Sequence, residues 1–194
     1  MISKKTPLFK KTERLVIRPL QKEDYDNWMQ AYASLKPALN AWDESAWKAT
    51  ELTKPKFTAL LKQQAQLRAQ DEFYDLGIFR QDDGILVGQV SLMDITRKTF
   101  HNAYVGYRIF NHYWNQGYGG EAGRALVDIA FRQLNLHRIE AAITPGNRKS
   151  VRVARAMGLR YEGLSRRRLL VHDEWLDFHI YAATAEDYNI RWKK

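Results

Sequence analysis

Apolar and polar positions in the first third of the chain predict one strand followed by two helices. Residues 14–20 (RLVIRPL) alternate apolar and basic side chains, which is the period-two pattern of a half-buried strand. From Asp24 to Tyr32 the apolar residues return at helical spacing. The same spacing runs from Ser45 to Ala69, and Pro55 within it predicts a break, because proline cannot donate to the helical hydrogen-bond ladder.

The middle of the chain predicts three strands and then a helix. Residues 72–80 (EFYDLGIFR) and 85–95 (ILVGQVSLMDI) are typical of strands, and the QDDG between them is a hairpin turn signal. Residues 101–110 (HNAYVGYRIF) are rich in aromatic and β-branched side chains, which favours a third strand. The pattern becomes helical from Gly119 to Leu134.

The last third predicts a strand, a helix and a hairpin. Residues 138–143 (RIEAAI) are strand-like, Asn147 is a candidate N-cap, and Gly158 stands where a glycine commonly ends a helix. The segments RRRLLVH and WLDFHIYAA flank a DE turn, which indicates a hairpin. The whole order predicts an α/β fold, a mixed sheet with helices on its faces. Without linkers or repeats, we expect one domain over residues 1–194.

Composition excludes several kinds of chemistry. The chain has no cysteine, so disulfides, thiolate metal sites and a cysteine nucleophile are excluded, and no metal is expected. Apolar residues make up 45% of the chain, which is enough for a packed core. No apolar run suits a membrane span, and the basic N-terminus is not followed by the apolar segment of a signal peptide. The expected location is the cytoplasm.

The net charge of +9 is concentrated in three parts of the sequence. These are the N-terminus (Lys4, Lys5, Lys10, Lys11 and Arg14), the stretch from Arg148 to Arg155, and the run Arg166, Arg167 and Arg168. Such clusters attract polyanions, which here means nucleic acid, an anionic membrane surface or a phosphate-rich cofactor. High charge also serves solubility alone, so charge by itself does not choose among these partners.

The densest chemical signal lies in residues 115–123 (NQGYGGEAG), between a predicted strand and a predicted helix. Glycines 117, 119 and 120 let the backbone curl closely around a ligand, and the following helix directs free N–H groups and its positive dipole end at it. Glycines also cap helices and form tight turns. No Lys-Ser/Thr follows, and the G-x-G-x-x-G turn with a later acidic ribose partner is absent. We therefore predict a pyrophosphate site of another type.

Three blocks in this order resemble the GCN5-related N-acetyltransferases, and within them the RimJ/RimL-type ribosomal-protein N-terminal acetyltransferases. They are FHNAYVGYRI, the acetyl-CoA signature at Trp114 to Gly119, and residues 137–163, HRIEAAITPGNRKSVRVARAMGLRYEG. Trp114 departs from the Arg or Gln at the first signature position, as is usual in the RimJ-like branch. The resemblance covers the chain from about Arg14 to Tyr188.

The resemblance implies a fold and a donor site. The fold is a central mixed, mostly antiparallel sheet with splayed middle strands and helices on both faces, and the acetyl donor is acetyl-CoA. Its pantetheine arm would lie in the splay at Tyr107 to Ile109. Asn147 either contacts that arm or serves only as an N-cap. The pyrophosphate would sit on the N–H groups of Gln116, Gly117, Tyr118, Gly119, Gly120 and Glu121.

The resemblance also implies direct attack of a neutral amine on the thioester. Ser150, in NRKS, matches a serine proposed in relatives to assist the leaving thiolate, or it caps the helix. The glutamate proposed as base in relatives has no match, because RRRLLV stands in its place. The candidates are Glu140, Asp94, His101 and Glu44, and each has a structural alternative.

Three acceptors remain open. Residues 39–47 (LNAWDESAW) fall where the family builds the acceptor wall, although Trp42 and Trp47 suit a core equally well. The first acceptor is a protein N-terminus, that of a ribosomal protein beginning with Ala or Ser, reached through association of the basic clusters with pre-ribosomal particles. The second is a small amine such as an amino acid, an aminoglycoside or a polyamine, although a basic protein repels polycations. The third alternative is a non-catalytic ribosome-assembly or RNA-binding factor, and either a monomer or a homodimer is expected.

Overall fold

The centre of the molecule is an eight-stranded sheet in the order β1-β2-β3-β4-β5-β6-β8-β7. It is seen in a computed structural model that describes residues 8–38, 43 and 47–193. The strands are β1 (Lys10–Lys11), β2 (Leu15–Arg18), β3 (Tyr74–Arg80), β4 (Leu86–Thr96), β5 (Asn102–Ile109), β6 (Arg138–Ile143), β7 (Arg160–Val171) and β8 (Glu174–Thr184). The helices are α1 (Tyr25–Ala33), α2 (Lys54–Ala69), α3 (Tyr118–Asp128) and α4 (Arg148–Ala156). This is the mixed α/β architecture predicted from the sequence.

The middle of the sheet opens between β5 and β6. These two strands run parallel and pair over Asn102–Tyr104 and Arg138–Glu140, whereas the other described strand pairs are antiparallel. The pairing recorded between them ends there, so residues 105–109 and 141–143 diverge. The splayed, mostly antiparallel sheet implied by the family resemblance is confirmed.

Helices cover both faces of the sheet. Adjacent strand residues point to opposite faces, and Leu86 and Val87 of β4 belong to two different apolar clusters. The Leu86 cluster takes in Trp28 of α1 and Phe57 of α2. The Val87 cluster takes in residues of α3 and α4 such as Leu126. The pairs α1/α2 and α3/α4 therefore pack on opposite sides of the sheet.

The second predicted helix differs from the expectation at its start. Pro55 does not break it but lies in its first turn, because α2 begins at Lys54. A proline is tolerated there, since the first N–H groups of a helix have no partner inside it. Thr53 is the N-cap, and its hydroxyl accepts the N–H of Lys56 at 3.4 Å. Ser45, the expected start, lies outside the described residues.

The C-terminal hairpin turns one residue earlier than predicted and is longer. Val171 pairs with Glu174, so the turn residues are His172 and Asp173 rather than the DE dipeptide. Their φ angles of 49° and 64° lie in the left-handed region that a type I′ hairpin turn requires at both central residues. β7 also begins at Arg160, well before the RRRLLVH segment. No helix among residues 8–38, 43 and 47–193 is both long and apolar enough to cross a membrane.

Candidate active site

A cavity of about 560 Å³ lies where β5 and β6 separate. Four segments form most of its wall: the end of β5, the turn that follows it, the first turn of α3, and one side of α4. Leu35, which follows α1, and Asp43 complete the described part of the wall. The cavity thus joins the glycine turn to the open middle of the sheet.

Gly117 starts α3 in a conformation that favours glycine. It is the N-cap of the helix with φ 79°, in the left-handed region. The N–H groups in the first turn of a helix have no partner within it, so Tyr118, Gly119 and Gly120 present theirs at this end. The N–H of Glu121 already donates to the carbonyl of Gly117 at 3.3 Å. Within the stretch predicted to bind pyrophosphate, the N–H groups that the helix itself leaves unpaired are therefore those of residues 118–120.

Gly119 and Gly120 have a second, structural reason to be glycine. A Cβ on Gly119 would lie 3.2 Å from Val153 Cγ2, and one on Gly120 would lie 2.9 Å from Ala156 Cβ. Both neighbours belong to α4. The glycines let α4 approach α3 closely, and this approach forms the wall of the cavity.

The side chain of Glu121 is turned toward the N-terminal strands and is not part of the cavity wall. Its carboxylate accepts hydrogen bonds from Thr12 Oγ1 at 2.6 Å and from Arg14 Nε at 2.8 Å. Burial raises the pKa of Glu121, but the hydrogen bonds from Thr12 and Arg14 outweigh it, so the pKa lies below its ordinary value. The sequence predicted a cofactor contact through the Glu121 N–H, and the carboxylate has the separate role of connecting α3 to the segment before β2.

Ser150, Asn147 and Tyr107 are brought together at the cavity. Asn147 is the N-cap of α4, and its Oδ1 accepts the N–H of Ser150 at 3.1 Å. The hydroxyl of Tyr107 donates to the carbonyl of Ser150 at 2.9 Å. Burial raises the pKa of Tyr107 to about 12, so this phenol is neutral at ordinary pH. All three residues line the cavity.

The indole of Trp114, which follows β5 in the chain, folds back against the last residue of that strand. Its Nε1 donates to the carbonyl of Ile109 at 2.7 Å. Lys149 lies over the same indole, with Nζ 3.5 Å from the ring centroid. The Trp114 indole thus links the end of β5 to Lys149 of α4, and both side chains line the cavity.

The other predicted catalytic residues lie elsewhere. Glu140 accepts hydrogen bonds from Arg138 Nε at 2.8 Å and Arg168 Nη2 at 3.2 Å and is not part of the cavity wall. His101 precedes β5, and its ring lies 4.7 Å from that of Trp192. Tyr107 stands six positions after His101 along β5, about 20 Å at roughly 3.3 Å per residue. The structure does not bring either residue to Ser150.

The two remaining base candidates do not add to the site. Asp94 is exposed within an irregular part of β4, with φ 52°. Glu44 and Trp42 lie outside the described residues, as do Lys4 and Lys5. Trp47 packs against Tyr32 of α1, with ring centroids 4.6 Å apart, which agrees with its core alternative.

Sequence reasoning missed several charged residues of the cavity. Asp43 is the acidic residue in the described part of the cavity wall. The sequence indicated the neighbouring Glu44 as a base candidate instead. The cations are Arg108, Arg124, Lys149 and Arg152. Lys149 and Arg152 fall in the basic cluster from Arg148 to Arg155, which was expected to meet phosphate. Arg124 was missed, although it follows Glu121 by one helical turn, and this spacing was the available signal for a cation near the glycine turn.

Asn111 fixes the segment that follows α1, before the residues predicted to form the acceptor wall. Its Nδ2 donates to the carbonyl of Lys36 at 2.7 Å, and its Oδ1 accepts the N–H of Lys36 at 2.8 Å. Both bonds are made to the backbone, so they hold the chain after α1 against the turn after β5. In the described residues, no cluster of His, Cys, Asp and Glu is arranged to hold a metal ion.

Comparison with known families identifies the fold. A sequence model of the acetyltransferase (GNAT) domain matches residues 14–160. The chain belongs to this family. Its fold agrees with that of the ribosomal-protein-S5-alanine acetyltransferase from Vibrio fischeri, with a TM-score of 0.73, 24% identity, and coverage of 96% of this chain and 99% of the other.

Two relatives show different degrees of overlap with this GNAT chain. "Probable N-acetyltransferase YjcK" of Bacillus subtilis is 38% identical over 118 residues, which are 61% of this chain. That match spans just under two thirds of the relative, 65% of its length. The [ribosomal protein uS5]-alanine N-acetyltransferase of Escherichia coli is 28% identical over 179 residues, and the match covers 91% of each chain.

Proposed function

We propose that the chain transfers an acetyl group from acetyl-CoA to the N-terminal α-amino group of a protein, with a ribosomal protein beginning with Ala or Ser as the first candidate. The observation that carries the proposal is the cavity, which connects a helix N-terminus to the open middle of a GNAT sheet. The relative matched over 91% of both chains is named as an enzyme of this kind.

The donor end of the site has the groups that a diphosphate needs. The N–H groups of residues 118–120 and the positive end of the α3 dipole suit the two phosphates. Arg124, Lys149 and Arg152 add positive charge to the same cavity. The gap beside Tyr107 leads from this end to Ser150, which is the direction the pantetheine arm would take.

The transfer step requires a neutral amine and a proton for the departing sulfur. The amine nitrogen bonds to the thioester carbon and loses one proton, the C–S bond breaks, and the departing thiolate takes up one proton, so the products are the acetylated amine and the CoA thiol. We assign protonation of the thiolate to the Ser150 hydroxyl. The backbone N–H of Ser150 donates to Asn147, which holds the residue in place. An α-amino group has a pKa near ~8, so a water molecule linked to a weak base suffices to remove its proton.

The charge of the cavity favours one class of acceptor. The described wall holds four cations against one carboxylate, that of Asp43, so it opposes an acceptor with several ammonium groups. A protein N-terminus has one such group and a neutral backbone behind it. Polyamines and aminoglycosides are therefore disfavoured, and free amino acids remain the small-amine control.

The test is an acetyl-transfer assay on full-length protein with acetyl-CoA as donor. Peptides beginning with Ala, Ser or Met are compared with spermidine and free alanine, and the products are analysed by mass spectrometry. We expect labelling of the peptide α-amine, with Ala and Ser preferred. The matched control is the Ala peptide with a blocked N-terminus and an internal lysine, which is expected to stay unlabelled.

Two results would contradict the proposal. Transfer to spermidine or alanine without transfer to any peptide would make the chain a small-amine acetyltransferase. Labelling of the lysine in the blocked peptide would show that a side-chain amine is the acceptor. Association with pre-ribosomal particles through exposed cations such as Arg166 and Arg167 stays a separate prediction, as does the monomeric or dimeric state.

A further inference from the structure

We propose that Arg14 is a positioning residue that holds the glycine turn in the shape that receives a diphosphate and balances the negative charge of Glu121 beside it. The inference rests on the proposed function, because it assigns a residue outside the cavity to the donor end. Arg14 and Glu121 belong to a neighbouring shallow groove between the N-terminal strands and α3. Arg124 borders both the groove and the cavity.

The carboxylate of Glu121 is fully engaged by the segment before β2. Its Oε1 accepts hydrogen bonds from Thr12 Oγ1 at 2.6 Å and from the N–H of Arg14 at 2.9 Å. Its Oε2 lies 2.8 Å from Arg14 Nε and 2.7 Å from Arg14 Nη2. The residue is 8% exposed. A partly buried carboxylate with this set of donors is held rigidly, so it fixes the guanidinium that faces it.

The same guanidinium reaches the turn itself. Arg14 Nη1 donates to the carbonyl of Gln116 at 2.9 Å. Its Cζ lies 5.0 Å from the ring centroid of Tyr118. A Cβ on Gly117 would lie 3.4 Å from Arg14 Nη2. One side chain therefore contacts the residue before the Gly117 N-cap and the first residue of α3, and it leaves little room for a side chain on Gly117 between them.

These contacts have two consequences for an anion at this helix end. Holding the Gln116 carbonyl fixes the peptide plane that precedes Gly117, and so fixes the direction of the N–H groups that follow. A carboxylate in the first turn is favoured by the helix dipole but repels a diphosphate that occupies the same end. Arg14 balances that charge. Without Arg14, the ligand would meet an unbalanced Glu121 and a less constrained turn.

The variants separate charge balance from packing. Arg14→Met is expected to raise the Kd of CoA by about tenfold, the effect of one uncompensated charge near a partly solvated ligand. Arg14→Lys, which retains the charge, and the double variant Arg14→Met/Glu121→Gln, which removes both charges, are each expected to recover part of this loss. The part that stays lost in the double variant measures the contact between Arg14 and the Gln116 carbonyl. The matched control is Lys11→Met, which removes one cation from the same groove and is expected to change the Kd little.

Three compounds locate the effect within the ligand. CoA and dephospho-CoA, which both contain the diphosphate, are titrated calorimetrically, and kcat/KM is measured with S-acetylpantetheine, which lacks it. Arg14→Met should weaken both nucleotides by the same factor and leave the acetylpantetheine reaction unchanged. Thermal unfolding of each variant confirms that it is folded.

Several outcomes would overturn the assignment. The first two are an unchanged Kd of CoA in Arg14→Met and an equal loss of CoA affinity in Lys11→Met. The other two are an Arg14→Met variant that loses affinity for CoA but not for dephospho-CoA, and one that also loses kcat/KM with S-acetylpantetheine. If the double variant recovers no affinity for CoA, Arg14 does not act by balancing the charge of Glu121. Absence of CoA binding by the wild-type protein would instead refute the proposed function, so the two failures are distinguishable.

Discussion

The hydroxyl of Tyr107 donates a hydrogen bond to the backbone carbonyl of Ser150, 2.9 Å away, and so joins β5 to α4 across the opening of the sheet. The bond uses the Ser150 backbone and leaves its hydroxyl for another partner. Burial raises the pKa of Tyr107 to about 12, so the phenol remains a donor throughout the working pH range. Tyr107 therefore helps to position Ser150, the residue to which we assign protonation of the departing thiolate.

Ser150→Ala tests that assignment. Removing the hydroxyl is expected to lower kcat by about 100-fold, the lower end of the range for a positioned proton donor, with little change in the KM for acetyl-CoA. The backbone N–H that Asn147 accepts is retained, so stability should be unchanged. Steady-state kinetics and thermal unfolding give the two readouts.

Tyr107→Phe is the matched control for this pair. It keeps the Ser150 hydroxyl and removes one hydrogen bond, so we expect a loss of about 1 kcal/mol in the free energy of unfolding and a smaller fall in kcat than in Ser150→Ala. A Ser150→Ala enzyme with kcat within about twofold of wild type would show that water protonates the thiolate instead.

Asn147 has a cap role that the structure shows and a ligand role that stays a prediction. Asn147→Ala is expected to lose about 1 kcal/mol of stability, because the N–H of Ser150 loses its acceptor. Asn147→Ser retains a capping oxygen and should keep the stability, so its KM for acetyl-CoA tests the ligand role separately from the cap. The comparison is made by urea unfolding and kinetics on the same samples. A large rise in KM for Asn147→Ser at full stability would show that the amide also contacts the pantetheine arm.

Sequence patterns predicted the structure well where a local signal is sufficient, such as strand alternation or the side chain that caps a helix. The strand at residues 138–143 and the cap at Asn147 were predicted at the positions observed, because alternation and side-chain capping are local properties. The His172–Asp173 turn was misplaced because pattern alone does not fix a hairpin register to one residue.

The candidate site was harder to predict than the fold. Glu140 alternates correctly on β6, but only the fold shows that its partners are Arg138 and Arg168. The contact between Arg14 and Gln116 joins residues far apart in the chain, and no local pattern indicates it. Long-range side-chain contacts thus explain most of the difference between the predicted and the observed site.

Gly117→Ala tests the left-handed start of α3. A non-glycine residue at φ 79° is strained, so a loss of about 1–2 kcal/mol in the free energy of unfolding is expected. Because the turn would shift to relieve this strain, the KM for acetyl-CoA should rise by about tenfold, for about 1.4 kcal/mol of lost binding.

Gly84→Ala supplies the control for Gly117→Ala. Gly84 has φ 69° in the turn between β3 and β4, and nothing lies within 4 Å of where its Cβ would be. We expect a similar loss of stability with an unchanged KM. If both variants raise the KM alike, the effect on the donor site is indirect.

Asp75 of β3 predicts an unusual pH dependence of stability. Its carboxylate accepts hydrogen bonds from Gln64 at 2.7 Å and Gln89 at 3.3 Å. Burial raises its pKa from 3.8 to about 6, although the charges of Arg108 and Arg68 act in the opposite direction. Between these two pH values the unfolded chain has lost the proton that the folded protein still holds. The contribution of Asp75 to stability therefore falls as the pH rises from about 4 to 6.

Asp75→Asn isolates this contribution, because the amide oxygen can accept from the same two glutamines. The free energy of unfolding of wild type minus that of the variant should fall by about 1–3 kcal/mol from pH 4 to pH 7, at about 1.4 kcal/mol per pKa unit. Urea unfolding at intervals of half a pH unit measures it. Asp83, whose pKa is lowered by the hydrogen bond from Arg80, should give the opposite sign in Asp83→Asn, with its contribution lost as the pH falls. A flat difference for Asp75→Asn would mean that Asp75 is ionised in the folded protein throughout, with its charge balanced by the two arginines.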